Sequence, residues 1–292
     1  MRLHIDSDLG DDPDDACALV MTLGWPGVEV SGITTVDDPD GRRADLVREL
    51  LAMLGATDVP VASGGSTPRD AADLLTESIE AGARLVAIGP YTNLAHLERS
   101  LPGALTDVPV VTMGGWVDAL PDGYPSWGPA RDRNAQHDVD AALTLFGSHA
   151  DLTFVPCAAA VTATLRTADL ARLSAAGPCG SLLARQSVGH GEENGYRELA
   201  SRHAALPADL VNFHWDPVTC AVAAGWPGAT VTEMDLRPVL DQEVLRFERH
   251  PEGRRTRVVT AVDGAAFRHR WLDAIEAAER RMPTDGAGTT RP

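Results

Sequence analysis

The chain lacks the long apolar run that a membrane span requires, since no hydrophobic stretch approaches the roughly 20 residues of a transmembrane helix. It opens "MRLHIDSDLG", passing straight into a strand-like run without an apolar leader core or a small-residue cleavage site. The expectation is therefore a cytoplasmic protein without an export signal. Bases are scarce. Lys plus Arg number 25 against 42 Asp plus Glu, a formal charge of −17, which argues against nucleic acid or an anionic membrane and favours a cationic ligand. Cysteine is limited to Cys17, Cys157, Cys179 and Cys220, scattered without a CxxC spacing, which fits buried reduced thiols better than a disulfide frame. No His/Cys cluster has zinc-ligand spacing. Internal repeats and low-complexity linkers are also missing.

What is present is globular: 44% apolar and 23% charged residues in 292 positions, enough chain to bury a substantial core. Short β-branched runs, "RLHID", "VEVSGITTV", "VPVAS", "RLVAIG", "VPVVTMGG" and "DLTFVPC", alternate with the helical patterns "DDACALVMTLG", "RRADLVRELLAMLG", "NLAHLERSL" and "VDAALTLFG". That alternation predicts an α/β fold with an open, mostly parallel sheet flanked by helices, in a single domain over residues 1–281. Three of the helical patterns end in Gly, as helices commonly do. From about residue 166 the pattern turns helical and predicts a cap beside the sheet. Beyond it, "TEMDLRPVL" and "RRTRVVTAVD" flank the turn "HPEG" as a C-terminal strand pair, before a closing helix "AAFRHRWLDAIEAAERR". Residues 282–292 read as a frayed tail.

The chemistry concentrates in "LHIDSDLGDDPDDACALV", which places Asp6, Asp8, Asp11, Asp12, Asp14 and Asp15 within ten positions between two apolar runs. In open α/β sheets ligands collect at the carboxyl ends of strands, where Asp6-Ser7-Asp8 falls. Gly10 permits a sharp turn, and Pro13 suits the first position of a helix. Favourable interaction with a helix dipole accounts for Asp14 and Asp15 but not for six acids. A hard divalent cation with oxygen ligands offsets the remaining repulsion, and the crowd of carboxylates favours Ca²⁺ over Mg²⁺. Asp11 and Asp12 read as turn residues.

"DSDLGDDPDDACAL" resembles the N-terminal signature of the inosine-uridine-preferring nucleoside hydrolase family, in a variant with two extra residues before the final Asp pair. "SGITTV", "VPVASGG", "LVAIGPYTNLAHL", "VTMGG", "RNAQHDVDAA" and "WDPVTCAVA" agree with the family in order, so the resemblance covers roughly residues 3 to 225. It implies calcium-dependent hydrolysis of the N-glycosidic bond of ribonucleosides, with a nucleoside as ligand and a homodimer or homotetramer as the assembly. By the same resemblance Asp8 is a metal ligand and the general base on water, and Asp14 contacts the ribose. Asp15, the Thr112 carbonyl and Asp216 complete the metal site. Asp132 and Asn134 occupy further ribose-binding positions, and Asp6 is a supporting acid near the site.

Several positions depart from the family's pattern. Trp215 stands where many relatives carry the histidine that protonates the departing base, and His214 lies one step earlier. His214 is taken as the replacement acid, with His190 and His203 as other histidines of the cap region, and Trp215 as a residue that stacks on the base or packs. His4 and His137 read as structural, and Thr92 and Asn93 as caps of the following helix. Among Asp37, Asp38 and Asp40, Asp38 is the choice for reaching the sugar. Asp132 replaces a longer Glu, and Ala158 replaces an acid. Two other functions remain open at this stage: a catalytically weak ribosyl-ligand binder on the same fold, and a haloacid-dehalogenase-type phosphatase with Asp6 as nucleophile.

Overall fold

A computed structural model describes residues 1–65 and 68–281. The run "RLHID" forms β1 (Arg2–Ser7), a strand buried on both faces. It leads through the acidic turn to α1 (Asp14–Gly24), then to β2 (Glu29–Thr35), α2 (Arg42–Met53), β3 (Val61–Ser63) and α3 (Pro68–Glu80). The chain continues through β4 (Arg84–Ala87), α4 (Thr92–Ser100), β5 (Pro109–Met113), α5 (Arg133–His137), α6 (Val139–Gly147) and β6 (Asp151–Val155). The predicted strands and helices of this half all form, with ends shifted by a residue or two.

The strand order is β3-β2-β1-β4-β5-β6 in one parallel array. After β1 the chain builds outward to β2 and β3, then returns to the other side of β1 with β4. Neighbouring strands β1 and β4 thus send their connections in opposite directions, which opens a crevice at their carboxyl ends. That crevice holds the acidic segment.

The second half begins with α7 (Cys157–Ala160) and β7 (Thr164–Arg166), followed by α8 (Leu170–Ala176), α9 (Pro178–Glu193) and α10 (Tyr196–Arg202). These three helices form where the cap is expected. β8 (Leu210–Phe213) pairs antiparallel with β7 in a small separate sheet, and α11 (Trp215–Ala223) follows it. The C-terminal strands are three rather than the expected pair: β9 (Ala229–Asp241), β10 (Val244–Arg249) and β11 (Arg254–Val262). "HPEG" joins β10 to β11, whereas Gln242 and Glu243, both at positive φ, turn β9 into β10. β11 runs parallel to β6, so these strands extend the main sheet to nine. The closing helix is α12 (Gly264–Glu279). The predicted tail, 282–292, lies outside the described residues.

Apolar side chains on both faces of the sheet hold the layers together. On one face Leu19, Val218, Trp271 and Ile275 belong to a cluster built around α1, α11 and α12; on the other, Leu94, Leu145, Phe154 and Phe247 form a second. Of the three glycines expected to close helices, only Gly55 takes a left-handed φ, 65°. Gly24 instead permits close helix packing: a Cβ there would lie 1.9 Å from the Ala274 carbonyl oxygen of α12. All four cysteines are free and buried. Among the described residues no helix is long and apolar enough to cross a membrane.

Candidate active site

The acidic turn owes its shape to hydrogen bonds that its own residues make. Ser7, the last residue of β1, donates its hydroxyl to Asp15 Oδ1 at 2.6 Å and accepts the Leu9 N–H at 3.1 Å. Gly10 crosses the turn at φ 145°. Pro13 stands just before α1, one position earlier than expected, and its carbonyl accepts the Cys17 N–H. Asp14 and Asp15 follow in the first helical turn, both buried.

Asp216 arrives from far along the chain at the start of α11, and its N–H donates to Asp14 Oδ2 at 3.3 Å. Asp14, Asp15 and Asp216 each offer a carboxylate oxygen lying within 4.8 Å of the others. Their pKa values all stand well above the ordinary carboxylate value, first because burial disfavours charge and then because neighbouring acids repel. A hard cation removes that conflict, and the all-oxygen donor set suits Ca²⁺. These residues therefore fit a metal centre. Asp8 borders the same cavity, its pKa raised by burial against the pull of Arg43. Thr112 is buried in β5 opposite Ala87, and the next residue, Met113, lines the cavity.

The cavity measures about 360 Å³ and is acidic on one side and aromatic on the other. Trp215 lines it and stacks on Phe213 at 4.7 Å and 19°, while Trp127 meets Trp215 edge-on at 6.3 Å. Tyr196 and His190 extend this wall from the cap, with rings 5.7 Å apart. Asn134 also lines the cavity and donates its amide to the Ile88 and Met113 carbonyls at 2.9 and 3.1 Å. Asp132 is present but committed: one oxygen accepts the Gly115 and Trp116 amides and the other the Ala135 amide. Burial raises its pKa to about 6 against those bonds.

Other expected residues lie elsewhere. His214 does not line the cavity; its ring packs 4.3 Å from that of Trp271, buried without a partner on either nitrogen, and its pKa is depressed to about 3 by burial. The one-residue offset from Trp215 turns it into the core, away from the cavity lining. Asp38 is likewise turned away, accepting the Arg43 and Ala44 amides and the Thr35 hydroxyl, and so capping α2. Of its neighbours, Asp37 lines an adjoining cleft with Asp8 and Asn134. Asp6 is 1% exposed and accepts Thr34 Oγ1 and Asn93 Nδ2, a placement that withdraws it as a phosphatase nucleophile. Asn93 thus ties strands together and does not cap α4 with its side chain. His4 is structural, bonded to Ser78 and Thr34.

The turn residue Asp12 proves to be a junction. Its Oδ1 accepts the Asp14 N–H and the Asn212 amide, both at 3.1 Å, and its Oδ2 lies 3.3 Å from His190 Nε2. The signal in the sequence was "HGEENGY": on a helix, the i, i+3 and i+4 spacing of His190, Glu193 and Asn194 presents all three to one side. All three line the cavity.

A family model described as inosine-uridine preferring nucleoside hydrolase matches residues 3–269. The chain is 30% identical over 194 residues to uridine nucleosidase 1 of Arabidopsis thaliana, covering 53% of this chain and 55% of that protein. The aligned part thus spans little more than half of the plant relative. It is 27% identical over 215 residues to the pyrimidine-specific ribonucleoside hydrolase RihA of Salmonella schwarzengrund, covering 61% of this chain and 67% of that one. In fold it is similar to the purine-preferring ribonucleoside hydrolase of Gardnerella vaginalis, with a TM-score of 0.76 at 18% identity over 96% of this chain and 99% of that chain.

Proposed function

Because the chain belongs to the inosine-uridine preferring nucleoside hydrolase family, we propose that it hydrolyses the N-glycosidic bond of ribonucleosides, releasing ribose and free base, with Ca²⁺ as its cofactor. The observation that carries this reading is the meeting of Asp14, Asp15 and Asp216, three buried carboxylates in need of a cation, in the lining of a cavity with an aromatic wall.

Asp15 and Asp216 would hold the ion, with Asp8 and the Thr112 carbonyl added by the family resemblance. When bound, it orients water and sugar hydroxyls and makes that water more acidic. Asp8, at the edge of the cluster, takes the proton of the attacking water. By the same resemblance Asp14 accepts from a ribose hydroxyl, and its charge favours the oxocarbenium-like sugar that develops as the bond breaks. Trp215 offers a face to the base, and the surrounding rings keep water from that side. Assembly into a homodimer or homotetramer belongs to the same reading and rests on resemblance alone.

The test is a panel of purine and pyrimidine nucleosides assayed for ribose release with Ca²⁺ and with a chelator. Release that chelation abolishes and Ca²⁺ restores supports the reading. Calcium-dependent binding without release would identify a ribosyl-ligand binder instead.

A further inference from the structure

We propose that His190, clamped by Asp12, is the acid that protonates the departing base; the proposal rests on the hydrolase reading above. Breaking the C1′–N bond leaves its electron pair on the base, and a base that is a poor leaving group departs far faster if a positioned acid supplies a proton. Trp215 has no such proton to give, and His214 is sealed in the core.

The other cavity groups fare no better. Burial pushes the Tyr196 hydroxyl and the Cys157 thiol up, making both weak acids. Asp132, although burial raises its pKa to about 6, already has both oxygens accepting from three backbone N–H groups. His190 differs in geometry and in charge. Its Nε2 faces Asp12 Oδ2 at 3.3 Å, with the Tyr196 hydroxyl at 3.4 Å and the Asn194 amide at 3.3 Å. Asp12 cannot swing away, because Asn212 and the Asp14 amide hold its other oxygen. Among the described residues no hydrogen bond reaches Nδ1, so that nitrogen has no internal partner and His190 itself lines the cavity.

The charged groups facing the ring are Asp12 from the β1–α1 turn, Glu193 on its own helix and Arg133 on α5. The bond to Asp12 raises the imidazole pKa, burial opposes it, the charges of Asp12 and Glu193 add to the rise, and Arg133 subtracts. An imidazole raised in this way holds its proton to higher pH than a free one and can still release it to a developing anion.

In the step itself the C1′–N bond breaks and its electrons pass to the base, which takes the Nδ1 proton of His190. Water adds to C1′ as the new hydroxyl and gives its proton to Asp8. Exchange with solvent then returns a proton to His190 and removes one from Asp8, so the sum is nucleoside plus water giving ribose plus neutral base.

The experiment compares wild type with His190→Gln on inosine and uridine, and on p-nitrophenyl riboside, whose leaving group departs without protonation. The expected result is a fall in kcat on both nucleosides of about 100-fold or more, with p-nitrophenyl riboside turnover changed little. Retained turnover of the activated substrate also reports a folded site. Equal loss on all substrates by a variant that melts like wild type, or no loss on any, overturns the assignment. So does a wild-type protein that cleaves only the activated substrate. If wild type cleaves none of them, the hydrolase reading itself falls and takes this proposal with it. Should His190→Gln not fold, Asp12→Asn carries the same comparison with the imidazole still in place. It is expected to lose nucleoside turnover selectively and to move the alkaline limb of its pH profile to lower pH.

Discussion

Asp216 donates its backbone N–H to a carboxylate oxygen of Asp14, 202 positions earlier in the chain, at 3.3 Å. The bond seats the start of α11 against the start of α1, so two helix N-termini and three acidic side chains share one small volume. Positive helix ends ease the repulsion there without removing it.

That residual repulsion makes stability depend on the cation in a way that a variant reverses. With a chelator, Asp216→Asn is expected to melt at a higher temperature than wild type, because one buried charge is gone. With Ca²⁺ the order inverts, and the variant loses most of the calcium-induced rise in Tm together with at least about 100-fold in kcat/KM. Thermal melts of both proteins under both conditions decide this; identical calcium shifts would show that no ion sits among these acids.

Trp215→Ala tests the aromatic wall. Base-on-ring stacking is worth about 1–3 kcal/mol, so kcat/KM on a nucleoside should fall about 5- to 100-fold, mainly through KM. Ribose alone, which has no base to stack, should inhibit wild type and variant equally. An unchanged KM would reduce Trp215 to packing against Phe213.

Asp38→Ala separates a cap from a sugar contact. Because its carboxylate is committed to the Arg43 and Ala44 amides, the substitution should cost about 1–2 kcal/mol of stability while leaving KM for nucleosides within a factor of two. A large rise in KM with unchanged Tm would reverse that reading.

The pH dependence of folding should carry the signature of His4. Burial lowers its pKa from 6.5 to about 3, so the folded state refuses a proton that the unfolded chain accepts. The contribution to stability is therefore complete above pH 6.5 and declines as the pH falls towards 3, with a slope of up to about 1.4 kcal/mol per pH unit from this group. His4→Gln should flatten the decline over that window by one proton, as read from denaturant titrations between pH 4 and 7. A slope equal to that of wild type would be inconsistent with a neutral His4.

Gly24→Ala is expected to destabilise the protein by about 2 kcal/mol or more, since the added methyl meets the Ala274 carbonyl of α12 at 1.9 Å. Its position at the end of a helical pattern reads in the sequence as a stop signal. Only the packing of α12 across α1 shows why the side chain is missing.

The sequence by itself determined the alternation of strand and helix, the parallel half of the sheet and the crowding of acids in the turn after β1. Those features rest on period, on turn residues and on local charge, all of which act between near neighbours. It also named Asp14, Asp15 and Asp216 as companions, though through resemblance to a family and not through spacing. What only the tertiary structure decided is which side chains face the cavity. His214 and Trp215 differ by one position, and the start of α11 sends one into the core and the other to the wall. Asp12 looked like a turn residue until α9 brought His190 to it, and Asp38 looked like a sugar contact until α2 claimed its carboxylate. The physical reason is common to all of these. Side-chain direction at the start of a helix, and the partner that meets it, depend on how distant elements pack, and local propensity carries no record of that.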